Sequence, residues 1–283
     1  MKLGKTIAVG VPLALGAAAL AAHLRYRGRL ADADEAWRSI RARPAGAVER
    51  FDPGMIADQP EIARRYFNHA IAPGTPLAQG AELTMRGTFL LGDKGQEQAY
   101  AMRAEEILRP PFEFLWKPVL KSKGLTISGS DGLAANRAWT RFWLMSVVTV
   151  ASSDSSPDLV RSAQFRAASE GLWVPSSLLP ANGVRWEQIG PDKARLTFER
   201  VEPAVVLELT LAASGAVRQV VGQRWSNANP EHRFQLQPFG GTAEGEARFG
   251  GYRIPARLAV GNHYGTDRSL PFFQAEVTGA VFF

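Results

Sequence analysis

From Ala81 onward, apolar and polar side chains alternate with a period of two, the pattern of strands that bury one face and wet the other. In AELTMRGTFLL, Leu83, Met85, Phe89 and Leu91 point one way while Glu82, Thr84, Arg86 and Thr88 point the other. Phe112, Phe114 and Trp116 alternate likewise, as do Leu125 and Ile127 ahead of Asp131-Gly132, a turn signal. The segment WTRFWLMSVVTV, residues 139–150, is apolar on both faces and reads as one covered central strand. A second series runs Val184 to Ile189, Ala194 to Arg200, Val205 to Leu211 and Val217 to Trp225, with Gly190-Pro191-Asp192-Lys193 and Ser214-Gly215 as turns. A hairpin-rich stretch from Ala243 to Phe283 completes it.

Two helices break the alternation. Asp58 stands as a cap, Pro60 and Glu61 open the first turn, and Ile62, Ala63, Tyr66, Phe67 and Ala70 fall at helical spacing before Pro73-Gly74. Ser156 caps the other, Pro157 and Asp158 begin it, Leu159, Ala163 and Ala167 mark its buried stripe, and Gly171 ends it. Connections this short require antiparallel neighbours, because parallel pairs need crossovers of about a dozen residues. The fold class is therefore mainly β (α+β): one curved antiparallel sheet or half-barrel with a few helices.

The N-terminus is different in kind. No charge occurs from Thr6 to Leu24, a length that crosses about 30 Å of hydrocarbon at ~1.5 Å per residue. Ala19-Leu20-Ala21 offers a signal-cleavage site, but three arginines follow at once, which favours retention as a transmembrane anchor. Residues 31–43 form a polar helix with Trp37 and Ile40 on one stripe, read as a juxtamembrane spacer that Pro44 ends. The domain reading is 1–30 anchor, 31–57 spacer and 58–283 a single β-rich domain.

Composition places the chain among globular proteins, with 46% hydrophobic and 21% charged residues. The net charge of +6 suggests an anionic partner until its location is examined. Lys2, Lys5, Arg25, Arg27 and Arg29 all precede the first acidic residue, Asp32, which leaves 28 basic against 27 acidic residues thereafter. No nucleic-acid partner is expected; the basic residues flank the apolar run. They are nearly tied on its two sides, and Arg38, Arg41 and Arg43 favour a cytosolic domain. The short two-lysine tail before an Ala/Leu stretch reads as an export signal, so the expected place is a bacterial inner membrane with the domain on the extracytoplasmic side. The absence of cysteine excludes disulfides, thiolate metal sites, a cysteine nucleophile and a lipidated cysteine.

Catalytic motifs are missing. There is no P-loop, H-E-x-x-H, G-x-S-x-G or strand-linked G-x-G-x-x-G. His23 lies in the apolar run, and His69, His232 and His263 are scattered without partners at ligand spacing, so no metal and no cofactor are expected. Glu105-Glu106 cannot act as a pair, because consecutive strand residues face opposite ways and at most one meets a cavity. Tryptophans 116, 139, 143, 173, 186 and 225 suffice to line an apolar groove, and equally to fill a core.

Arg161 to Glu187 contains Glu170, Trp173-Val174-Pro175, Leu178-Leu179-Pro180, Gly183-Val184 and Trp186-Glu187. This stretch resembles a bacterial family of unknown function that shares an E-x-x-W-x-P-x-x-L-L-P element followed by a G-V-x-W strand. Pro60 to Ala70 resembles that family's R-Y-x-x-H helix, Phe114 to Trp116 its F-x-W strand, and Tyr252-Arg253-Ile254-Pro255 its Y-R-x-x-P element. The sequence departs from the family in its D-G-L-A-A-N turn, which replaces a D-x-x-x-G-x-G run, and near Gly250-Gly251. The resemblance implies a β-rich, often membrane-anchored domain and carries no activity. The order of helix and meander also looks like the curved half-barrel of periplasmic lipoprotein carriers, an analogy of fold alone.

Three functions fit. The first is a non-catalytic module binding a lipid or other apolar ligand, with Trp116, Trp139, Trp143, Trp173 and Trp186 lining its groove and residues 6–24 in the lipid membrane. Its polar candidates are Glu105, Glu170, Arg103 and Arg141, the two arginines being placed to pair with Glu105 or Glu170 inside the sheet. The second is a hydrolase built from Glu170, Glu105 or Asp131 with Arg166 or Arg103. It requires two of these groups in one cleft and a carboxylate perturbed by burial. The third is a scaffold for envelope partners, with the W-x-P-x-x-L-L-P loop as a structural corner.

Overall fold

Thirteen strands form one antiparallel sheet in the computed structural model, which describes the backbone of residues 3–42 and 49–283 and the side chains of 20–42 and 49–283. Six strands leave the middle of the sheet as a meander: β1 (Ala81–Leu91), β2 (Gln98–Arg109), β3 (Glu113–Ser122), β4 (Leu125–Ala134), β5 (Arg137–Leu144) and β6 (Val148–Ser153). Seven more return from the far edge: β7 (Val184–Gln188), β8 (Lys193–Phe198), β9 (Val205–Leu211), β10 (Val217–Ser226), β11 (Gln235–Phe249), β12 (Tyr252–Asn262) and β13 (Leu270–Phe282). β13 pairs with β1 in the centre, and β6 and β7 are the two free edges.

The chain passes between those edges by a crossover on the inner face. α3 (Pro157–Ser169) begins with Ser156 accepting from the Leu159 amide and Pro157 in the first turn, as its sequence predicts. It packs on β4 and β5 from one wing and on β9 and β10 from the other, which requires the sheet to curl around it. α2 (Glu61–Ala70) plugs one end, with Ile62, Ala63, Tyr66, Phe67 and Ala70 all buried as their spacing predicts. No side chain caps it; Asp52 instead caps a short 3-10 turn at Pro53–Ile56.

The curl depends on close backbone approach. A Cβ on Gly129 in β4 would lie 1.9 Å from the Arg141 carbonyl oxygen, and one on Gly241 in β11 1.9 Å from that of Ala259. Only glycine lets neighbouring strands come so near.

Two strand readings are corrected. Residues 139–150 are not one central strand but the hairpin β5–β6, reversed where Met145 and Ser146 take φ of 52° and 62°. β6 is an edge, largely exposed. Asp131-Gly132 is not a turn: both lie within β4, and the reversal falls at Ala135-Asn136, with φ of 48° and 58°. Consecutive left-handed residues form the tight turn that matches strand twist, so the position of the turn is set by that geometry and not by the Asp-Gly pair.

The N-terminal helix α1 (Leu3–Ala42) is continuous through the boundary between anchor and spacer, and its C-terminal half is docked. Ala33 and Ile40 are buried against Ile107 and Leu115 on the outer face of the sheet, with Trp37 and Trp139 beside them. Tyr26 meets Ser128 (3.2 Å) and the Trp143 ring, while Arg41 reaches Glu82 (3.3 Å), so α1 runs diagonally from the β3–β4 turn end to the plugged end. The apolar run 6–24 lies largely outside the residues whose side chains are described, as do Lys2, Lys5, Arg43 and Pro44. Among the described residues no helix is long and apolar enough to cross a membrane.

Gly129→Ala and Gly241→Ala are each expected to destabilise by about 1–3 kcal/mol through backbone overpacking. Gly28→Ala in α1, with nothing within 4 Å of the added carbon, is the control. Urea denaturation followed by circular dichroism reads the difference: the first two lower the midpoint, and the control holds or raises it.

Candidate functional site

A cavity of about 440 Å³ lies between α3 and the inner face of the sheet. Its walls are mainly aromatic and aliphatic: Phe89, Trp116, Phe142, Phe165, Trp173 and Phe273 are among them. Leu91 and Val150, 37% and 48% exposed, mark its mouth at the β1–β2 and β5–β6 turn end. The opposite end is closed by the 3-10 turns that follow α3, where the E-x-x-W-x-P-x-x-L-L-P residues meet the Y-R-x-x-P residues. Trp173 Nε1 donates to the Pro255 carbonyl (3.3 Å), Trp186 Nε1 to that of Leu178 (2.9 Å) and Tyr252 Oη to that of Pro76 (2.7 Å). These motif residues are the cavity's floor and its fastening.

The five tryptophans therefore divide. Trp116 and Trp173 line the cavity. Trp186 is buried beneath α2, 5.2 Å from the rings of both Tyr66 and Phe67. Trp139 and Trp143 face outward to α1, which corrects their assignment to the groove. The reason is parity: Thr140 and Phe142 of β5 point into the cavity, so their odd-numbered neighbours cannot.

The polar candidates divide in the same way. Glu105, Arg103 and Arg141 lie on the outer face; Glu105 and Arg103 line separate shallow grooves there, and Arg141 pairs with Asp154 (3.0 Å) and Asp32 (3.7 Å). None of the three reaches Glu170. The inner residue is Glu106, fully buried, on the same face as Tyr100, Met102 and Ala104. That parity was readable, but Ile107 and Leu108 are both buried too, because α1 covers the outer face at this point, and the alternation is lost.

Arg166 of α3 gathers the inner carboxylates. It donates to Glu106 on β2 (2.8 Å), Asp131 on β4 (2.7 Å) and Glu170 one turn along (2.5 Å), while its guanidinium lies 4.3 Å over the Phe114 ring. Thr140 donates to the other Asp131 oxygen (2.8 Å). Glu106 and Glu170 each leave Oε2 buried without a donor, and the two carboxyls are within hydrogen-bonding reach of each other. Burial pushes both above the usual carboxylate range, Glu106 well above it with Glu170 adding to the effect. Two of the groups proposed for acid-base work, Asp131 and Glu170, thus do share one cleft with Arg166. A second arginine, Arg224 of β10, also lines the cavity.

Among the described residues no three histidine, aspartate or glutamate side chains are grouped to hold a metal. His69 lies near the plugged end with Glu246 (2.5 Å) and Arg253. His263 reaches the Ala228 carbonyl (2.9 Å).

A curled antiparallel sheet, plugged at one end and open at the other around an apolar chamber, defines a half-barrel with an internal cavity. The chain belongs to a family of unknown function, DUF6544, whose model matches residues 49–275. It is similar to a LolA superfamily protein from Nitrosomonas europaea, at 10% identity and a TM-score of 0.39 over 78% of this chain and 92% of that one. It is also similar to a putative outer membrane lipoprotein-sorting protein domain from Vibrio parahaemolyticus, at 12% identity and a TM-score of 0.35 over 78% and 91%. No curated protein matches it.

Arg166→Met is expected to cost about 3–5 kcal/mol, because it leaves three carboxylates in the interior without their cation. Raised carboxyl groups bind more protons in the native than in the unfolded state, so stability falls as pH rises from the ordinary carboxylate range through the raised values. Glu106→Gln removes the main source of that slope. Urea midpoints measured between acid and neutral pH should decline less in the variant, and an unchanged decline would place the titration elsewhere.

Proposed function

We propose that this protein is a membrane-tethered, non-catalytic module that takes a lipid or other apolar ligand into the chamber beneath α3. The observation that supports the reading is the chamber: about 440 Å³ within a core that buries aromatics everywhere else. That volume lies in the ~300–1,000 Å³ range of small-molecule sites, and the wall is apolar with a few convergent polar groups.

The tether is residues 6–24, at a bacterial inner membrane, with the domain on the extracytoplasmic side. The direction of α1 supports a tether at the mouth end of the domain. Its N-terminal half leaves the sheet at the mouth end, where Leu20 and Leu24 are exposed on the helix and Leu125, Met145 and Val148 on the neighbouring turns. Exposed apolar side chains at the mouth end of an open chamber suit transfer of a ligand from lipid.

An acid-base centre is a second reading, and the raised Glu106 and Glu170 carboxyls in the cleft favour it. Against it, all three carboxylates already bind Arg166.

The test is native mass spectrometry with lipid extraction on the full chain purified from its host membrane. A co-purifying lipid is expected, reduced by Ala151→Trp, which fills the chamber from the edge strand, and by Trp116→Ala with Trp173→Ala. Trp143→Ala, on the outer face, should leave it in place. An empty, stable protein would favour the scaffold reading. For the tether, an alkaline wash should leave the chain in the membrane pellet, and release into the supernatant would remove this part of the proposal.

A further inference from the structure

Two groups that line the chamber keep hydrogen-bond donors with no acceptor among the described residues. Arg224 Nε donates to Ser162 Oγ (3.2 Å) and its guanidinium lies 5.2 Å from the Phe239 ring centroid. Among the described residues its two terminal nitrogens make no hydrogen bond and it joins no ion pair. Arg166, by contrast, spends its donors on three carboxylates. Trp116, 4% exposed, also lines the chamber, and its indole N–H is buried without an acceptor.

Unmatched buried donors are costly and are found where a partner arrives from outside. The Trp116 N–H is such a donor, and the Arg224 terminal nitrogens, half-buried at the chamber wall, leave a cation free for an acceptor. From this geometry, and resting on the reading of the chamber as a ligand site, we infer that the ligand is a single-chain amphiphile whose anionic head binds Arg224 while its acyl chain fills the apolar wall.

The volume agrees with one chain. At roughly 30 Å³ per water-sized group, 440 Å³ holds on the order of 15 such groups. The electrostatics agree with the charge. Burial lowers the Arg224 pKa to about 10 despite Asp131 and Glu170 nearby, so the resident carboxylates do not compensate this cation and an incoming anion would. A carboxylate or a phosphate supplies the same chemistry: an oxyanion that accepts two parallel N–H bonds from a guanidinium.

Brominated lipids test this directly, because bromine quenches the tryptophans it touches, and Trp116 and Trp173 line the chamber. The full chain, held in amphipol, is titrated with dibromostearate, with dibromostearyl alcohol, and with the corresponding lysophosphatidate. The anionic probes should bind about tenfold or more tighter than the alcohol, as charge-assisted hydrogen bonds require. Arg224→Gln should abolish that preference while still binding the alcohol, which shows that the chamber is intact, and Arg224→Lys should restore part of it. A stronger signal from the lysophosphatidate identifies a lysolipid source, and from dibromostearate a free fatty acid. Equal binding of acid and alcohol by the unaltered protein, or a preference that survives Arg224→Gln, overturns the headgroup assignment and leaves the chamber reading standing. Quenching by none of the probes overturns both.

Discussion

One arginine holds the crossover in place. Arg166 joins α3 to β2 and β4 through Glu106 and Asp131, while Arg224 and Trp225 of β10 bond Ser162 and Asp158 from the other wing. A buried charge cluster of this kind adds little net stability compared with a hydrocarbon substitute of the same shape. Its value is positional: fixed hydrogen-bond lengths hold the helix at one height above the sheet. The space beside it therefore persists as a chamber and does not collapse into core.

Much of the fold was legible in the sequence and less of the site. Period-two alternation marked most strands, and Ser156-Pro157-Asp158 marked the start of α3, because these signals are local. What remained hidden depended on which face was covered. Trp139 and Trp143 look like groove residues until a helix is known to lie on the other side of β5, and the parity that separates Glu105 from Glu106 is blurred because α1 also buries the outer face at Ile107. Arg166 had a signal, a charge on the same helical stripe as Ser162 and Ala163 with Glu170 four residues on. The family motif was legible as a motif, yet its tryptophan, prolines and Tyr252 turn out to fasten the closed end of the chamber.

The two faces of the sheet thus serve different ends. The outer face receives the docked half of α1 through Ile40, Trp37 and the Tyr26–Trp143 contact, which fixes the direction in which the apolar N-terminal run departs. The inner face carries the chamber, with its mouth at that same end. Helix and mouth are set relative to one another by side-chain packing and not by a loose linker, so whatever orients the helix orients the opening.

The pairing of β1 with β13 has a consequence for how the protein is made. The first and last strands of the sheet are neighbours at its centre, paired from Ala81 opposite Phe282 to Phe89 opposite Phe273 with one bulge after Thr84. Until β13 leaves the ribosome, the early meander presents the open side of β1, a row of unpaired amide and carbonyl groups. That vacancy is filled only by Leu270–Phe282. Loss of β13, by interrupted synthesis or by proteolysis, would leave a sheet split through its middle and ready to pair with a stranger.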